Sequence, residues 1–388
     1  MPIGYWESEY LLRPADLTIV GAGIVGMSAA LHFKKLRPDA HVRIIERAPI
    51  SAGGTTRNAG FACFGSAGEW LDDLQVLGMQ KLQELVESRA EGLSDMLQLL
   101  GEEAIGMSWS GGWELFSEGD TDVQLAQKVI RALPDINETV APILAKVLGP
   151  VHPRLQDSPA ALIDQHRARK VRAYQAVALP WEGMIHTGKM VEAFHRALDR
   201  ANVHRVHGVQ VQSFHPKGDQ WAIQTHQGQL LTSQLAVCTN GMASDLIPEM
   251  DTEPVPNRVL VAKIKPGSWP LGTYHLDRGY LYLRTLGQSH VLFGGGRHWG
   301  HDLAPSDPVN ARSIQDWDAQ LTATAESWLG PLDTITHRWT GWLGVGQDRR
   351  PLIGQTQPGL HHAVRLGGMG VAIGTKVGRE LASNLASE

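Results

Sequence analysis

Three glycines at a fixed interval, Gly21-x-Gly23-x-x-Gly26, stand between a short apolar run, "LTIV", and helix-compatible sequence beginning "MSAAL". In that setting the first glycine permits a tight turn, and the second lets a pyrophosphate approach the backbone. The third allows close helix–strand packing. A helix start carrying Ile24 and Val25 would offer phosphates unpaired N–H groups and roughly half a positive charge. Glu46 ends the next apolar run, "HVRIIE", where an acid accepts hydrogen bonds from ribose hydroxyls. Strand, turn, helix and acid in this order predict a dinucleotide site. The motif alone does not choose between NAD and FAD, because Glu46 suits either adenosine ribose.

A second glycine run, "GGMGVAIGTKVGREL" at 367–381, opens the last helix-compatible stretch. Glycines there carry an entropic penalty and bring almost no side chain to a core, so something must come close to the backbone. "YLYLRT" alternates Tyr280, Tyr282 and Arg284 onto one strand face and Leu281 and Leu283 onto the other. Polar aromatics and an arginine on one face suit a pocket wall, and a solvent-facing sheet would read the same way. Arg297 follows "FGGG", and Trp339 and Trp342 could contribute to an aromatic box for a cation. His204-x-x-His207 and His298-x-x-His301 have ligand-like gaps without a complete set of further ligands, so no metal site is expected. No G-x-S-x-G elbow or Walker A run occurs.

The elements that must position these residues read as a βαβ start over 17–46, with a helix stopped by Pro38. A Gly/Ser/Thr-rich stretch follows, then a long amphipathic helix over 72–100, a helix over 121–133 ended by Pro134, and another over 159–172. Thr187 reads as an N-cap for a helix whose apolar stripe is Met190, Val191, Phe194 and Leu198. From Val203 the period becomes two, and three strands form a meander that covers an adenine with Val209 and returns at Thr239–Gly241. A second β-rich block spans 255–296, a helix spans 308–329, and "ITHRWTGW" and "HHAVRL" read as a final strand pair. Strands of both sheets lie far apart in sequence, which predicts two interleaved, discontinuous domains.

Composition narrows the class. The 388 residues exceed one ordinary core, and 43% hydrophobic with 19% charged residues describes a globular protein. A net charge of −5 without a Lys/Arg block argues against nucleic acid or an anionic membrane surface. Two cysteines, Cys63 and Cys238, cannot form a disulfide framework, and the N-terminal stretch lacks a signal-peptide core, so a cytoplasmic location is expected. No apolar run is long enough to span a membrane.

Taken together, "TIVGAGIVGMSAAL", Glu46-Arg47, "TTRNAGF", "GVQV…VCTNG", "DRRPLIG" and "GGMGVAIGTKVGREL" carry a resemblance. Over nearly its whole length the chain resembles the D-amino-acid oxidase/glycine oxidase/sarcosine oxidase superfamily of FAD enzymes. In motifs, including the "YWE" arm, it is most similar to amine-oxidising members such as γ-glutamylputrescine oxidase. The resemblance implies an α/β (α+β) fold: a Rossmann-like FAD-binding domain of the glutathione-reductase type with an interleaved antiparallel-sheet substrate domain. The expected boundaries are 1–85, 182–245 and 337–388 for the FAD-binding domain, and 86–181 and 246–336 for the substrate domain.

The resemblance also assigns roles. Thr55 and Thr56 are expected at the pyrophosphate or ribityl chain, and Arg57, Asn58, Ala59 and Gly60 near the isoalloxazine. Arg47 is expected beside the adenosine, and Thr239, Asn240 and Gly241 at the returning turn. Gly367, Gly368, Met369, Gly370, Val371 and Ala372 are expected at the pyrimidine edge, where N–H groups and a helix dipole favour charge at N1/C2=O. Relatives that bind flavin covalently use a cysteine nearer the C-terminus, and this chain has none after Cys238, so the FAD is expected to be non-covalent.

One position departs from the family. Where glycine-oxidase-like relatives carry the arginine that grips the substrate carboxylate, this chain has Leu343. That loses a bidentate contact and favours an amine, or a carboxylate bound elsewhere by Arg284 or Arg297. Substrate-pocket candidates are therefore Tyr282, Arg284, Arg297, Trp342 and Leu343, with no acid or base required. The expected activity is FAD-dependent oxidation of an amine or amino acid, with oxygen or another acceptor taking the electrons. A dehydrogenase using a carrier and a non-catalytic flavin-binding subunit are the alternatives.

Overall fold

The computed structural model of the chain describes residues 4–149, 165–166, 175–300, 303 and 311–388. They divide into two compact units, Met1–Thr56, Gly188–Pro254 and Leu343–Glu388 in one, and Arg57–Thr187 and Val255–Trp342 in the other. Residues 57–85, 182–187 and 337–342, expected with the first unit, fall in the second, and 246–254, expected with the second, fall in the first.

In the first unit, strands Ala15–Val20, Val42–Glu46, His204–His207, Gly228–Val237 and Leu360–Val364 form a parallel core. Parallel strands need both faces covered, and the two central ones, Ala15–Val20 and Val42–Glu46, are buried along nearly their whole length for that reason. Helices Ile24–Leu36 and Gly370–Ala386 pack together, with Gly374 and Gly378 admitting Ile24 and Ser28 at distances no Cβ could tolerate. The expected meander is present as Val211–Lys217, Gln220–Thr225 and Gly228–Val237. Val209, Trp221, Ile223 and Val237 share its apolar core.

The second unit is built on an eight-stranded sheet in which five strand pairs are antiparallel and Thr273–Leu276 runs parallel to Gly112–Phe116. Thr273–Leu276 itself was not expected, its four residues being too short to show a period. Leu281–Leu286 alternates as the sequence predicts, with Leu281, Leu283 and Thr285 buried and Tyr282, Arg284 and Leu286 partly so.

Three expectations are corrected. The helix over 72–100 is two helices, Ala67–Leu77 and Met79–Leu100, because Gly78 sits at φ +81°. The helix over 121–133 does not end at Pro134 but continues as Asp120–Leu148 through Pro134 and Pro142. Both prolines face solvent, whereas Ala126, Val129, Leu133, Ile136, Val140 and Leu144 form one buried stripe whose packing outweighs the missing N–H groups. The final strands do not pair. Thr334–Val345 lies beside Glu253–Lys263, and Leu360–Val364 pairs with Leu352–Gln357. The helix over 159–172 falls outside the described residues except Gln165–His166, which form a short strand. In the same way 308–310 lie outside, and the helix that follows is described as Ala311–Leu329.

Candidate functional site

The fingerprint glycines differ in what holds them. Gly21 has φ +109°, and a Cβ there would stand 2.7 Å from the Cys238 carbonyl oxygen. A Cβ on Gly26 would stand 2.1 Å from the Gly21 oxygen. Gly23 meets only the Thr55 hydroxyl, at 3.2 Å, so the fold itself does not demand glycine there. That leftover space is what a close-approaching phosphate requires. Thr55 Oγ1 accepts from Ile24 N at 2.9 Å, fixing the first residue of the helix. Thr56 Oγ1 donates to the Ser51 carbonyl at 2.7 Å.

Glu46 is fixed by two backbone donors, Ala22 N on Oε2 and Ala48 N on Oε1, both at 3.0 Å. Each carboxylate oxygen keeps a second lone pair for a ribose hydroxyl. Val209 N donates to the Glu46 carbonyl at 3.0 Å, so the expected adenine-covering residue is tied to the expected ribose acceptor. Arg47 is exposed.

The "TNG" turn lies beside the C-terminal turn in the same unit. Asn240 Oδ1 accepts from Leu366 N at 3.1 Å, and Gly344 bridges Gly367. Gly241 is packed against the Leu343 carbonyl and Pro254, which leave no room for a Cβ. The Thr239 hydroxyl is buried with no protein partner. A Cβ on Gly367 or Gly368 would meet nothing within 4 Å, and one on Gly370 only Leu366 at 3.5 Å. No side chain caps the helix that starts there, Met369 preceding it and Val371 and Ala372 entering the core. Unlike Gly374 and Gly378, these three glycines are not explained by packing. An orphaned hydroxyl, an uncapped helix start and open space above glycine fit a flavin dinucleotide.

The remaining candidates except Leu343 lie in the second unit. Asn58 Oδ1 accepts from Gly60 N at 2.7 Å, and Gly60 stands at φ +73°. Arg284 Nη1 donates to the carbonyls of Ala59, Gly60 and Ile185 at 2.8, 3.0 and 2.8 Å. Burial lowers its pKa to about 10, so it stays charged at neutral pH. Arg57 donates to the Thr340 carbonyl at 3.2 Å, and Trp339 Nε1 donates to that of Arg57 at 2.9 Å. Tyr282 lies over Gly294, where a Cβ would strike its ring, and its hydroxyl accepts from Asn257 Nδ2 at 3.2 Å. Burial pushes the Tyr282 phenol up, so it remains a neutral donor.

Arg297 stacks on Tyr280, its guanidinium carbon 4.9 Å from the ring centre, and is not aimed as a fork. The aromatic box is corrected as well. Trp339 and Trp342 sit three apart on one strand, which places them on opposite faces. Leu343 begins the last segment of the first unit.

One feature had no signal in the sequence. His275 Nε2 lies 3.0 and 2.9 Å from the two oxygens of Glu182, and Thr273 Oγ1 donates to Glu182 at 2.7 Å, all in the core. Cys63 approaches the same pair, the three potential ligand atoms lying within 4.8 Å of one another. Burial pushes the Cys63 thiol well up, and that of Cys238 to about 12, so both are inert as nucleophiles. The expected histidine pairs diverge: His204 stacks on His41 and His207 faces His195, while His301 lies outside the described residues.

Among solved structures, glycine oxidase from Bacillus cereus superposes with a TM-score of 0.66 at 13% identity, over 96% of this chain and 95% of that one. Iminodiacetate oxidase from Chelativorans sp. BNC1 gives 0.65 at 19% identity, over 96% and 95%. L-proline dehydrogenase from P. horikoshii gives 0.63 at 17%, over 96% and 93%. A curated relative, "Probable oxidoreductase OrdL" of Rhizobium meliloti (strain 1021), is 24% identical over 97% of this chain and 85% of its own length. The family model for DAO, FAD dependent oxidoreductase, matches residues 16–384. The chain belongs to the DAO family of FAD-dependent oxidoreductases.

Proposed function

We propose that the enzyme oxidises the carbon–nitrogen bond of an amine or amino acid, the resulting imine then hydrolysing in water. Bound FAD supplies the hydride acceptor. The observation that carries the reading is the clamp between Arg284 and Ala59–Gly60. It joins a polar, aromatic strand face to the segment that the family resemblance puts against the isoalloxazine. Ala59, Tyr282, Leu286 and Trp339 pack around Val259, Val261 and Leu292, making that face largely apolar. An apolar wall removes water and holds the amine neutral, the form from which hydride leaves. Tyr282 and Arg284 then orient the substrate, and no side chain has to move a proton. The names of the structurally similar glycine oxidase, iminodiacetate oxidase and L-proline dehydrogenase support the same chemical class.

Anaerobic mixing of the purified yellow protein with a panel of amines and amino acids tests this. At least one should bleach the flavin band in a single turnover. Oxygen consumption with the best donor separates an oxidase from a dehydrogenase that needs a carrier. A flavin that no donor bleaches, in a chain that copurifies with a partner, would support the non-catalytic reading instead.

A further inference from the structure

The helix Thr187–Arg200 and the strand His204–His207 meet along a polar seam. Val191, His195 and Asp199 follow at intervals of four, which sets them on one helix face. Arg205 and His207 alternate onto one strand face, while Val206 packs into the apolar core on the other. Arg205 Nη2 donates to Asp199 Oδ1, and the His195 ring stands edge-on to that of His207, 5.7 Å between centres. His195 Nε2 lies 3.4 Å from the Ser51 hydroxyl. Ser51, His195, Arg205 and His207 line a cavity of about 420 Å³, with Ile50 and Val191 as its apolar wall. The polar atoms of that lining are not all used. Arg205 Nη1 and His207 Nδ1 are both buried without a partner. Burial first, then the charges of Arg205 and His207, lowers the pKa of His195, with Asp199 opposing them.

We propose that this cavity binds a phosphate-class oxyanion, free phosphate or a small phosphate monoester, held by His195, Arg205 and His207 apart from the flavin. An oxyanion brings acceptors, and the unused groups are a guanidinium N–H and an imidazole nitrogen able to carry a proton. Its charge would also relieve the crowding that disfavours the protonated form of His195. Water could meet either orphaned atom, but it brings no charge to a seam where Asp199 is the one acid acting on His195 among the described residues. The volume falls within the range of small-molecule sites, about 300–1,000 Å³, and Ile50 and Val191 suit the organic part of an ester. The site is separate from the dinucleotide turn. No fingerprint glycine lines the cavity, and neither Glu46 nor Val209 does. Thr56 lines it, but its hydroxyl is turned to the Ser51 carbonyl at 2.7 Å.

The test uses the FAD-loaded enzyme, so that the cofactor's own pyrophosphate occupies the glycine turn. Inorganic phosphate and phenyl phosphate are titrated by calorimetry, with sodium chloride at matched ionic strength as the reference. At least one phosphate should bind saturably at a single site, more tightly than chloride, with the flavin absorbance unchanged. Tighter binding of phenyl phosphate assigns the site to esters, and equal or tighter binding of inorganic phosphate assigns it to the free ion; either supports the proposal. His207→Phe keeps the ring contact with His195 and removes the nitrogens, and Arg205→Gln removes the charge. Each should weaken the bound phosphate by about tenfold or more, as the loss of a charge-assisted hydrogen bond requires. His204→Phe, on the opposite strand face, should bind within about twofold of wild type. Arg205 also holds Asp199, so if Arg205→Gln does not fold, His207→Phe and His195→Phe carry the comparison. No saturable binding of either phosphate, equal binding of chloride, or unchanged affinity in the folded variants would overturn the proposal. Release of FAD as phosphate binds would overturn it as well, by placing the anion at the glycine turn.

Discussion

His275 and Glu182 form a buried pair in which one imidazole nitrogen reaches both carboxylate oxygens, at 2.9 and 3.0 Å. Burial alone would lower the pKa of His275, but the charge and hydrogen bond of Glu182, with the charge of Glu114, outweigh it and raise the pKa. Such a group stabilises the fold below its unfolded pKa near 6.5, and that contribution is lost as pH rises through the folded value. Glu114 acts in the same direction. Burial raises it to about 7 from 4.5, against the hydrogen bonds of Gly68 N and Ser66 Oγ, with His275 and Glu69 the charges that face it. Between those values the folded chain binds the extra proton, so stability falls with rising pH, by at most about 3 kcal/mol for this group. Thermal denaturation from pH 5 to 8 should therefore show a falling Tm. Glu114→Gln mimics the protonated acid and should flatten that slope, being the more stable form at pH 8 but not at pH 5. A slope unchanged by the substitution would show that Glu114 does not titrate in this range.

The fingerprint glycines should separate folding from cofactor binding. Gly26→Ala drives a Cβ into the Gly21 carbonyl and should unfold the helix start, lowering Tm sharply. Gly23→Ala meets only the Thr55 hydroxyl, at 3.2 Å, which has to shift by a few tenths of an ångström while holding Ile24 N, so the apoprotein should melt only slightly below wild type. FAD titration calorimetry should nevertheless show a large loss of affinity, because the methyl group takes the space of the pyrophosphate. Equal affinity in Gly23→Ala and wild type would remove this turn from the cofactor site.

Glu46→Gln keeps one acceptor for the N–H groups of Ala22 and Ala48 while removing the charge. Loss of a charge-assisted ribose contact is worth about 1.5–3 kcal/mol, or roughly 10- to 150-fold in the FAD dissociation constant. Calorimetry gives the value directly. An unchanged constant would leave Glu46 only its structural bonds.

Neither cysteine offers a thiolate for a flavin linkage. Both are buried, and burial raises both thiols. Acid precipitation should leave all yellow colour in the supernatant. Colour in the pellet would point to a covalent bond and, first, to Cys63.

What was legible in the sequence was local. The first glycine motif, its helix and Glu46 lie within one short stretch, so backbone rules alone order them. The alternation of Tyr282 and Arg284 was equally plain, because a strand has period two. What Arg284 touches was not, since Ala59 lies 225 residues upstream. Likewise Glu182 and His275 stand 93 residues apart, and nothing near either residue marks them as partners. Pro134 failed as a stop because a breaker is a local preference, and the buried stripe from Ala126 to Leu144 is a tertiary one. The tryptophan box fails on the strand itself: "ITHRWTGW" reads as one strand, and its period of two puts Trp339 and Trp342, three residues apart, on opposite faces.

The C-terminal glycine run makes the sharpest claim, because its members now divide into two kinds. Gly374 and Gly378 face the helix Ile24–Leu36, and Cβ atoms there would lie 2.6 Å from Ile24 Cγ2 and Ser28 Cβ. Alanine at either should destabilise the fold by overpacking, typically by 1–3 kcal/mol. Gly370 is different: its Cβ would make ordinary contact with Leu366 at 3.5 Å, and its φ is not in the left-handed region. Leucine at 370 should therefore be tolerated by the protein, and its better helix propensity offsets any minor strain. The consequence should appear only in the flavin. With the adenosine half still held at Glu46 and the first glycine turn, FAD should stay bound while the isoalloxazine is displaced. Flavin fluorescence should then rise toward that of free FAD, and the Tm of the apoprotein should stay near wild type. If absorbance and fluorescence both match wild type with leucine in place, the turn at 367–370 does not lie against the flavin. Gly367, at φ +55°, would still be required by its backbone, but Gly368 and Gly370 would need another explanation, which the open space around them does not supply.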